Sequence, residues 1–167
     1  MTAQKLVYGI SSVKLGIPTN LATMPAQLDA FSETVKGSFT LAETDATEVD
    51  ALTEESAAPI ASITDVESVL EGSWRTYDYT PAMLEKVKGG DGTTLATKWQ
   101  APAASENIEL ALQVNTTAGP VLNVYKAKIT AKFTGNVSKS GFSEIEIRFK
   151  ALAPAAGLSP YDWDEID

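Results

Sequence analysis

Two acid pairs, Glu54–Glu55 and Glu144 with Glu146, are of the residue type that cleaves a glycosidic bond. That reaction needs one carboxyl as acid and a second as base or nucleophile, set in a cleft that holds a sugar. Glu144 and Glu146 fall on the polar side of an alternating segment, where charge is expected anyway, and aromatic residues make up only 8% of the chain. A denser acid run, Glu43, Asp45, Glu48, Asp50, Glu54 and Glu55, offers the oxygen ligands of a calcium loop. Its spacing is irregular, and no glycine lies among these acids to wrap them round one ion. Gly89-Gly90-Asp91-Gly92 suggests a phosphate-binding nest. The lysine that a P-loop needs after its last glycine does not follow it, and a helix stop before a turn accounts for it with fewer assumptions. Lys126, Lys128 and Lys132 form a stripe with no aromatic between them on that face. In an acidic chain this reads as a solvated or intersubunit strand face, not a nucleic-acid footprint.

What is missing from the composition narrows the chemistry further. The chain has no cysteine and no histidine, which removes thiolate and imidazole nucleophiles, bases and metal ligands together. The expectation is a protein with no catalytic residue, no cofactor and no metal. The 22 acids against 13 bases give a net charge of −9, which opposes binding to phosphate backbones and favours solubility. With 167 residues, one domain is expected, burying roughly 70% of its unfolded surface. Met1 to Gly9 lacks the pattern of a signal peptide, and no apolar run is long enough to span a bilayer.

The elements that position these residues are mostly strands. Ile108, Leu110, Leu112 and Val114 alternate with polar positions. So do Tyr125, Ala127, Ile129, Ala131 and Phe133, against the lysine stripe. Ile145, Ile147 and Phe149 repeat the pattern between Glu144, Glu146, Arg148 and Lys150. Such period-two runs predict half-buried antiparallel strands, and their opposite-sign outer faces are placed to pair across the ladder. In the first half, Val35, Gly37, Phe39 and Leu41 predict one strand, and Ile60 to Tyr77 a second. One helix is expected over Pro81–Lys88, with Thr80 as N-cap, Pro81 at its first position and Gly89-Gly90 as its stop. Ala42 to Pro59 and Ala153 to Asp167 read as irregular surface loops or arms. The pattern is a mostly-β sandwich or barrel with one short flanking α-helix.

The order of several stretches carries a resemblance. They are Lys36-Gly37-Ser38-Phe39-Thr40-Leu41, the acid-rich Glu43 to Glu55, and Ser73-Trp74-Arg75-Thr76-Tyr77-Asp78. Pro81 to Gly90, Ala127 to Phe133, Phe142 to Ile145 and Phe149 to Leu152 follow. From about Leu6 to Leu152 the chain resembles the tail tube (major tail) proteins of long-tailed phages and the tube proteins of related injection machines. The resemblance implies a two-sheet antiparallel β-sandwich with a flanking helix and long assembly loops. It also implies a structural virion protein of the tail, assembled in the host cytoplasm. Six copies would form a ring, and rings would stack into a conduit for DNA ejection. Its partners would be further copies, the tape measure, the tail tip or baseplate and the terminator. DNA would pass without specific binding, and no membrane would be involved. The acidic loop is then the first candidate assembly arm, and an N-terminal arm over residues 1–23 the second. Lys126, Lys128, Lys132, Glu144 and Glu146 are lumen or interface candidates. A second reading, from the residues themselves, is a β-sandwich carbohydrate- or ligand-binding module in which Trp74, Trp99 and Tyr77 form a platform for sugar rings.

Overall fold

The computed structural model describes residues 6–94 and 97–165. The chain runs β1 (Tyr8–Gly16), β2 (Asp29–Ala30), β3 (Thr40–Glu43), β4 (Thr47–Ala51), β5 (Ala61–Val66), β6 (Leu70–Thr76), α1 (Pro81–Lys88), β7 (Ile108–Ala118), β8 (Val121–Thr134), β9 (Glu144–Ala151) and β10 (Tyr161–Asp164). It is mostly β and antiparallel, with one short helix, as the alternations predict. One eight-stranded sheet follows the order β2-β1-β7-β8-β9-β6-β3, with β10 added to β8; β4 and β5 form a separate ribbon. The large sheet curls round one core in the manner of a sandwich. Val13 and Leu15 of β1 share a cluster with Trp74 of β6, although three strands separate β1 from β6 along the sheet. A strap over residues 31–38 ties those distant strands together: Phe31 N donates to Val13 O at 2.8 Å, and Val35 N to Arg75 O at 2.8 Å.

The inner faces of β7, β8 and β9 supply Leu112, Val114, Leu122, Val124, Ala127, Ile129, Ile145, Ile147 and Phe149 to the core. Fully burying side chains of this size stabilises by about 1.5–3 kcal/mol each. Between Leu110–Ala127 and Leu112–Val124 the β7–β8 register slips by one residue. This bulge turns Tyr125 away from the face that carries Ala127 and Ile129, to which strict alternation assigns it. β8 is buried continuously over Val121–Tyr125, so it begins earlier than its alternation shows.

Helix α1 buries Met83, Leu84 and Val87. Pro81 opens it and Gly89 ends it at φ 74°, with Gly89 N donating to Glu85 O. Thr80 occupies the N-cap with extended backbone, but its hydroxyl caps nothing; Asp78 Oδ1 instead accepts from Thr80 N at 2.9 Å.

Four expectations need correction. The strand expected over Val35–Leu41 starts only at Thr40, because Gly37 at φ 73° places a turn at Lys36-Gly37. The stretch Ile60–Tyr77 is two strands, β5 and β6, which belong to different sheets. Within the segment expected as an N-terminal arm, residues 8–16 are β1, held by β7 on one side and by the burial of Val13 and Leu15; residues 1–5 lie outside the described ones. The expected C-terminal tail carries β10, which pairs with Val121–Val124; residues 166–167 lie outside the description.

Candidate functional site

The acid-rich segment expected as an irregular loop is an ordered β-ribbon. From Thr40 to Ser68 every residue is exposed. Val49 lies opposite Ile63, Ala51 opposite Ala61, and Thr47 opposite Val66. These pairs share one face of the ribbon, so Val49, Ile63 (68% exposed) and Val66 make an apolar strip with nothing over it. Leu52 and Ile60, beyond the last pair towards the tip, are exposed as well. The other face carries Glu48 and Asp50 opposite Thr64 and Ser62, with the Ser62 hydroxyl donating to Glu48 at 3.2 Å. Glu54 and Glu55 sit in the tip turn, and Asp45 lies between β3 and β4. Glu43 is apart from the ribbon: it ends β3 and accepts a hydrogen bond from the Tyr161 hydroxyl. The acids are therefore strung along a ribbon, and among the described residues no group of three or more is placed to hold a metal ion. An isolated two-stranded hairpin is marginal in water, and one with a bare apolar face is a surface shaped for a partner.

The lysine and glutamate stripes lie on the outside of the large sheet and engage one another. Lys126 Nζ is 2.9 Å from Glu109, Lys132 Nζ 3.5 Å from Glu146, Lys150 Nζ 3.6 Å from Glu71, and Arg75 Nη1 3.1 Å from Glu144. Glu146 also accepts from Arg148 on its own strand. Although Glu146 is only 9% exposed, the hydrogen bond from Arg148 holds its carboxyl below the usual range. The hydrogen bond from Lys126 does the same for Glu109. Lys128 stands in register between Glu109 and Lys150. On this face each of the four acids is engaged by a base, in contrast to the ribbon, whose acids have no base among them.

β10 is fastened by a polar network. The Tyr125 hydroxyl donates to Asp162 Oδ2, Asn123 Nδ2 to Asp162 Oδ1 at 2.9 Å, and Gln113 Nε2 to Asn123 Oδ1 at 2.9 Å. Burial first, then the Asp162 carboxylate, pushes the Tyr125 phenol up to about 12.

A third surface lies at the far end of β6 from the ribbon. Tyr77 meets Phe142 with ring centroids 5.6 Å apart, and Tyr79 stacks on Phe133 at 5.7 Å. The Tyr79 hydroxyl is 2.6 Å from Ser143 Oγ. Lys88 Nζ sits 4.8 Å above the Phe133 ring, and Trp99 meets that ring edge-on at 6.2 Å. These aromatics are spread over three connections in the sequence, so no local pattern marks them as a group. The proposed sugar platform is dismantled: Trp74 is 0% exposed, and Trp99 is half-buried with Nε1 donating to Gly89 O at 2.8 Å.

No protein-family model matches this chain, and no curated protein sequence matches it.

Proposed function

We propose that the chain is a structural subunit, not an enzyme, which self-assembles into stacked rings forming a phage tail tube that conducts DNA. The observation that carries this reading is the ribbon Thr47–Val66, ordered and wholly exposed, with an uncovered strip of Val49, Ile63 and Val66. Covering such side chains with another copy would release about 1.5–3 kcal/mol for each one fully buried, enough to drive ring contacts when multiplied round a closed assembly. The rest of the surface suits a conduit. Five of the outer strands' cations are already engaged by carboxylates, and the net charge of −9 opposes adhesion of a passing polyanion within a Debye length of about 8 Å.

Negative-stain electron microscopy of the purified protein over a range of concentrations tests the proposal. Rings with a central hole, or tubes built from them, are the expected result. Single copies throughout that range would overturn it.

A further inference from the structure

The ribbon and the exposed aromatics occupy opposite poles of the same sheet. Glu43 pairs with Leu70 where the ribbon leaves β3 and β6. At the other end of β6, Thr76 pairs with Ile145, which pairs in turn with Phe133. A seven-residue strand between them spans roughly 20 Å. Both poles present apolar side chains. At the ribbon these are Val49, Ile63 and Val66; at the far pole they are Tyr77, Phe133, Val137 and Phe142, the last 81% exposed. Their charges differ in sign. Thr40 to Ser68 contains eight acids and no base. The far pole carries Lys88 over Phe133, Lys139 in the β8–β9 turn and Arg75, against two acids, Glu144, engaged by Arg75 at 3.1 Å, and Asp78, which accepts from Thr80 N at 2.9 Å.

We infer that the far-pole aromatic patch is the receptor for the ribbon of a second copy, so that subunits join head to tail along the axis of β6. The inference rests on the assembly reading above and names its acceptor surface. A self-complementary contact would set ribbon against ribbon, placing acids against acids. The pole-to-pole contact instead sets acids against lysines and the aliphatic strip on aromatic rings. A heterologous contact repeated along one axis, with no rotation that closes it into a ring, stays open, so each added copy, or ring of copies, presents a fresh ribbon for the next. Rigid, mutually stacked aromatics are the side chains that dominate binding at interfaces of this kind.

Because the chain has no cysteine, single introduced thiols report this contact cleanly. Ile63→Cys and Phe142→Cys chains, distinguished by a size tag and mixed under mild oxidation, are expected to form a disulfide between the two variants. Disulfides within each variant alone should be minor. A Phe142→Asp chain is expected to raise the concentration needed for assembly by about tenfold or more, with an unchanged circular dichroism spectrum because the side chain is exposed. Mixed with Ile63→Asp it should give stacks limited to two layers, since each variant keeps one working pole. If wild-type chains assemble but these two sites do not cross-link and Phe142→Asp assembles normally, this inference fails while the assembly reading stands. Wild-type chains that never assemble would overturn both.

Discussion

The indole of Trp74 is enclosed by Phe31, Phe39 and Phe149, with ring centroids 5.8, 6.3 and 6.2 Å away, yet its buried Nε1–H meets no acceptor. The core thus gains a large apolar body and carries one unsatisfied donor, a cost of about 1–3 kcal/mol. Trp74→Phe removes that donor while leaving a smaller void, so a loss of only about 1–2 kcal/mol is expected; Trp74→Ala should lose about 3–5 kcal/mol. Urea denaturation midpoints of the two variants check the difference. Tyr125 makes a prediction in pH. Its folded pKa of about 12 lies above the ordinary 10.0, so the folded state keeps a proton that the unfolded chain gives up. The resulting stabilisation is full below pH 10 and is lost as pH rises from 10 to 12. Tyr161, which donates to Glu43, is raised in the same direction, first by that hydrogen bond. Alkaline titration followed at the tyrosinate absorbance should show late-ionising phenols accompanied by a change in Trp163 emission as β10 detaches. In Tyr125→Phe, which has no phenol to ionise at that position, the Tyr125 part of the transition should vanish.

Among the elements, the ribbon differs most from its surroundings. Every strand of the large sheet is paired within that sheet, whereas β4 and β5 pair only with each other. Replacing residues 45–67 with a two-residue turn should therefore leave the core intact, since none of the buried apolar side chains lies in that segment. The thermal midpoint is expected to change little while ring stacking is abolished. A shortened chain that still forms tubes would count against the ribbon as the assembly arm. Gly72 shows the opposite dependence within the sheet. A Cβ there would lie 2.5 Å from Phe149 and 2.6 Å from Thr40 O, so the ring of Phe149 lies across a strand that has no side chain to keep it away.

For the molecule as a whole, the charge layout separates two functions of the surface. The acids of the sheet are shared with Lys126, Lys132, Arg148, Lys150 and Arg75, while the acids of the ribbon are not shared with any base of that segment. Binding to duplex DNA is expected to be weak at all salt concentrations, because the counterion release that drives such binding needs exposed cations. Fluorescence anisotropy with a labelled duplex checks this, and submicromolar affinity near physiological salt would be incompatible with a non-adhesive conduit.

Sequence alone determined what depends on period and residue type. Leu112, Ile129 and Ile147 marked their strands because alternation follows directly from one-sided burial, and Pro81 and Gly89 marked both ends of α1 because each has a backbone geometry that suits no other place so well. The absence of histidine and cysteine fixed which chemistry was closed to the chain. Tertiary structure decided the rest. The bulge that sends Tyr125 to the other face of β8 depends on pairing with β7, and the burial of Trp74 and the docking of β10 depend on partners far away in the chain. The ribbon was the nearest miss. Thr47 to Ala51 and Ala61 to Ile63 do alternate, but their acids and short length read as loop until pairing across the tip supplies the hydrogen bonds. Nothing local marked the aromatic pole as one surface, since Tyr77 reaches Phe142 and Tyr79 reaches Phe133 only through the pairing of β6, β8 and β9.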